Sequence, residues 1–337
     1  MATTARNLLI LLALLAFTFP PEPAEAWGKF GHLVVCDLAY RNLTDTSQEK
    51  LKQLFKGKRG ITVKGKGKLG DRRYTSFNVG CLEEDELPRK HPDDHFINVS
   101  RDTKSIEGKA CPHNTDCIFA GIERDLAILK DETASNEERV FALMAIGHWI
   151  GDIHQPLHIS FADDRGGNSI NVKLKGKCGR SSYRVENLHG MWDNCLLEAG
   201  LFERVRKRAD FKKTWSKNTI TYRAVDSLQA RTTLTEEQSF VETQPWEWAA
   251  ESYKVTLNPD VRYCVMVGDV CQYSSTMVTL PPKGPKRLEQ LDQAYLAAFE
   301  RLAEERVRKA GFRLAHLLNL ALDPNYTTPI QNSTQRP

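Results

Sequence analysis

Several patterns that would assign this chain of 337 residues to a common class of protein are absent from it. Its eight cysteines include no Cys-x₂-Cys pair, which argues against the ligand spacing of a zinc finger. Beyond the N-terminal region, no apolar run reaches the roughly 20 residues that a membrane-spanning helix needs, so we expect no membrane anchor. No internal repeat is present, and the length suits one large domain or two small ones.

The N-terminus has the features of a secretory signal peptide. An apolar run extends from Leu8 to Phe19 behind a single arginine, and two prolines and the triplet Ala24-Glu25-Ala26 follow it. This order of a charged region, an apolar region and a small-residue cleavage site is typical of a signal peptide, although a buried N-terminal helix is an alternative. We expect residues 1–26 to be removed, so that the mature chain starts at Trp27 and is secreted to the extracellular space or the periplasm.

Charge is mixed along the chain. The formal net charge is +4, and 27% of the residues are charged. The densest basic patch is KGKRGITVKGKGKLGDRR, at residues 56–73, where the glycines favour a loop. Such a patch is either a solvated surface loop or an attractor of polyanions.

An even number of cysteines behind a signal peptide predicts disulfide bonds. Cys111 with Cys117, and Cys264 with Cys271, would each close a short loop. The remaining cysteines would be used by the pairs Cys36–Cys81 and Cys178–Cys195. The sequence alone leaves the pairing open, because eight cysteines can pair in many ways.

The spacing of apolar residues predicts a single, mainly α-helical domain at residues 27–322. The alternating SINVKLK, inside residues 166–187, predicts a small β-hairpin. Residues 56–110 look irregular, and we expect residues 323–337 to form a disordered tail. The expected helices cover residues 32–43, 44–55, 117–131 and 135–155, a stretch starting at 187, and roughly residues 236–256 and 286–321.

Histidines and aspartates are concentrated in HWIGDIHQPLH, residues 148–158, which holds three of the nine histidines. His148 and Asp152 are four residues apart, as are His189 and Asp193, so each pair would share one helix face. Two such helices facing each other can build a metal site in a helical core. Each histidine could instead be an ordinary hydrogen-bonded residue, but unpaired buried carboxylates would cost several kcal/mol each without a metal.

Five motifs occur in one order along the chain: WGKFGH after the signal peptide, then HFIN, HWIGDIHQPLH, DDRGGNSINV and NLHGMWDN. Together they resemble the zinc-dependent S1/P1 nucleases, also called class I nucleases or nuclease/3′-nucleotidases. The motifs cover residues 27–194, and helix lengths extend the resemblance to about residue 320. The resemblance implies a mainly α fold with three zinc ions in a deep cleft, a fold similar to that of zinc-dependent phospholipase C.

The resemblance also implies which residues bind the three zinc ions. Asp152 would bridge two of them, and the amino nitrogen and carbonyl oxygen of Trp27 would serve as ligands only after the signal peptide is removed. The implied sets are His95, His148, Asp152 and an upstream aspartate for one ion, His158, His189 and Asp193 for a second, and Trp27, His32 and Asp152 for the third.

One ligand has no clear match in the sequence. The family's upstream aspartate lies in a motif like Trp-Ala-Asp, and that motif does not occur here. CLEEDELPRK is the nearest analogue, which makes Asp85 our choice, with Asp71 and Glu84 as the alternatives. Asp85 lies closer to His95 in the chain than the family usually shows.

Residues for substrate binding follow from the same resemblance. Phe96 matches an aromatic ring that stacks on a base, and Asn98 matches a polar residue that hydrogen-bonds it, although Phe96 could also be a core residue. Arg89 and the basic patch at residues 56–73 would hold the backbone. Asn98 opens a glycosylation sequon that we expect to be unused, whereas better acceptors in a glycoprotein would be Asn42, Asn325 and Asn332.

The expected function is hydrolysis of single-stranded DNA and RNA to 5′-phosphate products, with 3′-nucleotidase activity as a further possibility. Asp152 would act by bridging two zinc ions, and Asp85 by orienting the attacking water. The substrates would be single-stranded nucleic acid and nucleotides, and the protein would be a monomer without a stable protein partner. The alternatives are a zinc-dependent phospholipase C and a non-catalytic secreted zinc-binding protein.

Overall fold

The computed structural model describes residues 27–56, 59–64, 70–112, 116–179, 184–280 and 286–327. The expected signal peptide, parts of the basic patch at residues 56–73 and the end of the expected tail lie outside these residues. As predicted, the fold is mainly α-helical with a few small sheets. Among the residues that the structure describes, no helix is long and apolar enough to cross a membrane.

The helices account for most of the domain. Their bounds are α1 (Lys29–Arg41), α2 (Asp45–Leu54), α3 (Phe77–Gly80), α4 (Ile118–Lys130), α5 (Asn136–Asp152), α6 (Leu188–Gly190), α7 (Glu203–Arg206), α8 (Lys217–Gln229), α9 (Leu234–Val241), α10 (Pro245–Thr256) and α11 (Gln293–Leu322). Single 3₁₀ turns lie at Glu83–Asp85, Pro156–His158 and Pro259–Val261, and two π-helical turns, Met191–Cys195 and Glu198–Phe202, join α6 to α7.

Helix α5 lies in the centre of the domain, and its sequence explains both its ends. Ser135 caps the N-terminus in a reciprocal capping box with Glu138, which satisfies two backbone N–H groups that would otherwise lack partners. From Ala142 onward every residue of the helix is buried. The helix ends at Asp152, before Pro156, because a proline cannot continue the hydrogen-bond ladder. Helices α1, α4 and α11 pack around it.

The strands are short and form four separate small sheets: β1 (Ile61–Val63) with β2 (Arg72–Tyr74), β3 (Ile97–Val99) with β4 (Ile159–Phe161), β5 (Ile170–Lys175) with β9 (Lys286–Asp292) and β8 (Val278–Leu280), and β6 (Val265–Val267) with β7 (Val270–Gln272). Strands β3 and β4 run parallel, with Ile97 opposite Ile159. This pairing brings the segment after His95 beside the segment after His158.

The structure differs from the sequence prediction at four places. SINVKLK forms β5, which makes one antiparallel bridge, Asn171 with Asn187, but pairs along its whole length in parallel with β9. Residues 286–292, expected to be helical, are that strand β9, because pairing with two neighbours outweighs their helical spacing. Pro245 starts α10 and so divides the helix expected over 236–256 into α9 and α10. Helix α8 was not predicted from the sequence.

All eight cysteines are paired. The four bonds are Cys36–Cys81, Cys111–Cys117, Cys178–Cys195 and Cys264–Cys271, the two short-loop pairs and the two pairs expected from the remaining cysteines. The Cys36–Cys81 bond joins α1 to the segment before the Glu83–Asp85 turn, and both its cysteines are fully buried. It passes α5 at Gly147, where an added Cβ would lie 2.3 Å from the sulfur of Cys81.

Candidate metal centre

Three groups of histidine and aspartate side chains converge where the C-terminal end of α5 meets the start of α1 and the helix beginning at Leu188. Within each group the possible ligand atoms lie within 4.8 Å of one another. We call them the His95 cluster (His95, His148 and Asp152), the His158 cluster (His158, His189 and Asp193) and the His32 cluster (His32, Asp85 and His148). All of these side chains are buried except that of Asp85, which is partly exposed.

The His95 cluster is built around one face of α5. His148 Nε2 lies 3.3 Å from Asp152 Oδ2, as the four-residue spacing predicts. His95, carried on the segment before β3, places its Nδ1 atom 3.0 Å from the same carboxylate oxygen. Asp85 approaches from the 3₁₀ turn, with its Oδ1 atom 3.7 Å from His148 Nε2. These four side chains could therefore surround one cation.

The His158 cluster joins two elements that are distant in sequence. His158 closes the 3₁₀ turn begun by Pro156, and its Nε2 atom lies 3.1 Å from His189 Nε2. Asp193 lies four residues after His189, and its Oδ2 atom is 3.5 Å from His189 Nε2. Asp193 lies in a π-helical turn, a distortion that is frequent at functional sites because it changes the direction of a side chain.

The His32 cluster connects the centre to the start of the described chain. His32 Nε2 lies 3.2 Å from Asp152 Oδ1, so Asp152 faces His32 with one oxygen and the His95 cluster with the other. Gly151 allows this approach, because an added Cβ there would lie 2.7 Å from His32 Nδ1. Trp27 is fully buried, and the next residue, Gly28, donates its backbone N–H to the carbonyl oxygen of Asp193 over 2.8 Å.

Backbone carbonyls fix the orientation of three imidazoles. His148 Nδ1 lies 2.7 Å from the carbonyl of Cys81, and His189 Nδ1 lies 2.7 Å from the carbonyl of Gly166. His158 Nδ1 lies 2.6 Å from the carbonyl of His95. A carbonyl can only accept, so Nδ1 carries a hydrogen in each ring, and Nε2 is the atom that can present a lone pair to the centre when the ring is neutral. This is the second-layer arrangement that holds metal-ligating histidines in proteins.

Electrostatics keep most of these imidazoles neutral. Burial, supplemented by nearby positive charges that include Arg89, lowers the pKa values of His32, His95, His158 and His189, and that of His189 falls to about 4. Burial also acts to lower the pKa of His148, but the carboxylates of Asp152 and Asp85 outweigh it and raise that pKa. Four imidazoles are therefore ready to act as ligands, and His148 must first release a proton.

The donor atoms fit metal ions. His32 Nε2 and Asp152 Oδ1, which face each other at 3.2 Å, are buried and make no hydrogen bond within the described structure. A buried polar atom without a partner costs about 1–3 kcal/mol, which coordination would offset. Imidazole nitrogens with carboxylate oxygens are the ligand set that zinc takes in proteins.

The three carboxylates considered for the upstream metal ligand lie in different surroundings. Asp85 approaches His148, whereas Asp71 lies at the surface with its carboxylate 2.9 Å from Lys64 Nζ. Glu84 is buried, but its Oε1 atom lies 3.1 Å from His91 Nδ1. The structure thus favours Asp85 over both alternatives.

Residues expected to bind substrate lie at the edge of the centre. Arg89 donates to Asp85 Oδ1 over 2.7 Å. Phe96 and Asn98, which follow His95, are both partly exposed, and Asn98 lies in β3 opposite Ser160 of β4.

Sequence reasoning assigned no role to Gln155, although it lies within HWIGDIHQPLH. Its amide donates to Asp193 Oδ1, and its own oxygen accepts the backbone N–H of Leu157. It thereby links the turn that carries His158 to a member of the same cluster. The sequence signal that could have revealed it was a glutamine directly before a proline inside the histidine-rich motif.

Two buried arginines of α11 hold the turn that follows α5 through contacts with His154. His154 is directed away from the three clusters: its Nε2 atom accepts from Arg313 over 2.8 Å, and its Nδ1 atom lies 2.8 Å from the carbonyl of Ile150. Arg306 donates to the carbonyl of His154, and both arginines donate to Glu251. Helices α10 and α11 therefore hold the backbone from which His158 projects.

Comparison with known proteins agrees with this geometry. The S1/P1 Nuclease family model matches residues 27–323. Endonuclease 2 of Arabidopsis thaliana is 26% identical over 311 residues, which cover 88% of this chain and 90% of the relative. Nuclease S1 of Aspergillus oryzae is 28% identical over 177 residues, 51% of this chain and 55% of the relative. Nuclease P1 of Penicillium citrinum is 35% identical over 83 residues, 25% of this chain and 28% of the relative.

Proposed function

Because the chain belongs to the S1/P1 nuclease family and is therefore a nuclease, we propose that it is a secreted enzyme that uses three zinc ions to hydrolyse single-stranded DNA and RNA. The products would carry 5′-phosphates, and the same centre would remove terminal 3′-phosphates from nucleotides. The observation that carries the proposal is the convergence of three His/Asp clusters, with His32 and His95 facing the two carboxylate oxygens of Asp152.

The side chains of these clusters, together with Trp27, would hold three ions. When bound, zinc supplies Lewis acidity that polarises a phosphate and makes water acidic enough to attack it near neutral pH. The ligands would be Asp85, His95, His148 and Asp152 for one ion, His158, His189 and Asp193 for another, and His32, Asp152 and the amino nitrogen and carbonyl oxygen of Trp27 for the third.

The chain's own side chains would position the substrate. Asp85 holds the guanidinium of Arg89 at the edge of the centre, where it would neutralise a phosphate, and the same carboxylate would orient the attacking water. Phe96 would stack on a base while Asn98 hydrogen-bonds the base edge. A base in a duplex must leave its stack to reach such a position, so single strands would be preferred.

Removal of residues 1–26 would complete the centre, because it converts Trp27 into the chain terminus and frees its amino nitrogen. The contact between Gly28 N–H and the carbonyl of Asp193 supports a fixed seat for that terminus. Four disulfide bonds suit an oxidising compartment outside the cytosol, which supports secretion. The mature enzyme would be one domain, residues 27–322, acting as a monomer without a stable protein partner.

The proposal is tested on the mature protein by N-terminal sequencing, zinc analysis and hydrolysis of single-stranded DNA. We expect Trp27 as the first residue, about three zinc atoms per chain, and loss of both zinc and activity in Asp152→Ala. The matched control is Asp269→Ala, at a carboxylate that is 73% exposed and distant in sequence from the clusters. Full activity in Asp152→Ala, or hydrolysis of phosphatidylcholine in place of DNA, would overturn the assignment.

A further inference from the structure

Residues 202–223 form the most basic aromatic segment of the described chain. The sequence FERVRKRADFKKTWSKNTITYR has eight lysines and arginines, two acidic residues and four aromatic residues. Its net charge of +6 exceeds the +4 of the whole chain. Neither its charge nor its rings have a role in the centre described above.

The aromatic rings and guanidinium groups of this segment form a continuous series of contacts. Arg206 lies over the ring of Phe202 at 5.8 Å and over that of Phe211 at 5.7 Å. Phe211 meets Trp215 edge to face at 5.5 Å, and Arg223 lies 5.6 Å over Trp215. Each guanidinium thus connects one ring to the next, an arrangement that combines stacking surfaces with positive charge.

Both ends of the series reach helix α1. Phe202 packs edge to face against Phe30 at 5.2 Å, two residues before His32. At the other end, Arg223 lies 6.0 Å over Tyr222, and Arg41 lies 3.9 Å over the same ring. Phe30 and Arg41 are both in α1, about 16 Å apart along its axis. We call the series from Phe30 to Arg41 the aromatic-basic ladder; its first ring lies two residues before His32 in α1.

The ladder is partly accessible to solvent, although Phe202, Phe211 and Trp215 are partly buried against the core. The side chain of Tyr222 is 53% exposed, that of Arg223 is 39% exposed and that of Arg206 is 26% exposed. Lysines line it on the solvent side, and those at 207, 212, 213 and 217 are all exposed. Acidic side chains neutralise part of the charge on the arginines: Glu304 pairs with Arg204, Glu203 with Arg206, Asp210 with Arg208, and Asp226 with Arg41 and Arg223. The four lysines keep the segment positive.

Aromatic rings that reach solvent between cations are the surface that non-sequence-specific proteins present to single strands: bases stack on the rings and phosphates contact the cations. We propose that the aromatic-basic ladder binds the part of a single-stranded polynucleotide that extends beyond the cleaved bond. This inference rests on the proposed nuclease function and extends it: the enzyme would hold long strands more tightly than dinucleotides. The extra affinity would be strongly salt-dependent, since bound phosphates release counterions.

The test compares a long oligothymidylate with a thymidine dinucleotide as substrates for the mature, zinc-loaded enzyme. In Trp215→Ala we expect kcat/KM for the long strand to fall roughly tenfold, through KM, because stacking contributes about 1–3 kcal/mol per base. In Lys212→Gln/Lys213→Gln, the salt slope of the same parameter should decrease by about one to two. Both variants should cleave the dinucleotide like the wild type.

The matched control is Lys130→Gln/Lys254→Gln, which replaces two exposed lysines on α4 and α10. This variant should leave kcat/KM unchanged for both substrates. Equal losses on both substrates, or no loss on the long strand in either variant, would overturn the proposal. The lysine pair is exposed, so its variant is expected to fold even if Trp215→Ala does not.

Failure of the ladder is distinguishable from failure of the nuclease assignment. If the wild type cleaves neither substrate, the proposed function fails by itself. The ladder is then judged by fluorescence anisotropy of labelled oligothymidylate in an Asp152→Ala background. Binding that the Trp215 and lysine substitutions weaken supports the ladder, and binding that they leave unchanged contradicts it.

Discussion

His158 and His189 direct their Nε2 atoms at each other across 3.1 Å, while each ring donates its Nδ1–H to a backbone carbonyl. Burial lowers the pKa of both rings, so neither gains a second proton at neutral pH. Two lone pairs therefore face each other in a buried space. Such a contact is repulsive unless a cation lies within reach of both nitrogens.

The first prediction concerns removal of metal. Chelation with EDTA should lower the melting temperature of the mature protein, and added zinc should restore it, because an ion that binds only the folded state stabilises it by mass action. His189→Ala should reduce both the zinc content and the EDTA effect. The control is His316→Ala, whose ring contacts Tyr326 away from the clusters and whose loss should leave the EDTA effect intact. If EDTA does not change the melting temperature, the proposed metal centre is contradicted.

The second prediction concerns Gly151. Replacing a helical glycine by alanine usually stabilises a helix by about 1 kcal/mol. Here the new Cβ would lie 2.7 Å from His32 Nδ1, and His32 is fully buried and cannot move aside easily. We expect Gly151→Ala to lose about one zinc per chain and most activity, measured by atomic absorption and DNA hydrolysis. Gly70→Ala, at a glycine with open space around it, should keep both. Normal zinc content in Gly151→Ala would refute the role given to His32.

The third prediction concerns Gln155. Its amide orients Asp193, and residues that orient a metal ligand typically affect metal affinity by about 10- to 100-fold. Gln155→Leu should therefore weaken zinc binding by that factor, as measured by competition with a chromophoric chelator. Gln53→Leu, an exposed position on α2, provides the comparison. An unchanged affinity in Gln155→Leu would mean that the amide only supports the turn.

The fourth prediction concerns pH. Burial acts to raise the pKa of Glu251, but hydrogen bonds and charge from Arg313, with further charge from Arg306 and Lys309, outweigh it and lower that pKa to about 2. A carboxyl whose pKa falls on folding stabilises the protein above its unfolded value of about 4.3, and this contribution disappears as the pH falls towards 2.

The measurement compares wild type with Glu251→Gln by denaturant unfolding at several pH values. The difference in free energy of unfolding should be about 2 kcal/mol at pH near 7 and should shrink steadily below about pH 4. Glu132→Gln, at an exposed glutamate, should show little difference at any pH. A difference that grows in acid would have the wrong sign for this ion-pair network.

Local spacing explains how much of the centre could be anticipated. His148 and Asp152 were expected on one helix face, and they lie 3.3 Å apart, because a four-residue separation fixes that relationship whatever the rest of the fold does. The direction of His158 also followed from local chemistry, since Pro156 had to end α5. Loop length predicted the pairs Cys111–Cys117 and Cys264–Cys271 for the same reason, since cysteines close in sequence can meet whatever the rest of the fold does.

Long-range contacts explain what could not be anticipated. Residues 286–292 have helical spacing, yet they form β9 because β5 and β8, far away in sequence, pair with both of their edges. The carbonyls of Cys81 and Gly166 orient histidines 67 and 23 residues away. Every residue has a backbone carbonyl, so the residue type does not indicate this role. The aromatic-basic ladder likewise depends on α1 lying against α8, which no periodicity indicates.

The bond between Cys36 and Cys81 has one more consequence. Both sulfurs lie in the core against the bare backbone of Gly147, and the bond encloses a chain separation of 45 residues. A small thiol in solution cannot touch these sulfurs while the domain is closed, so reduction must wait for an opening of the core. The reduction rate at neutral pH would then report how often the core unfolds enough to expose the bond. The enzyme would keep this disulfide in a reducing environment as long as its core stays folded.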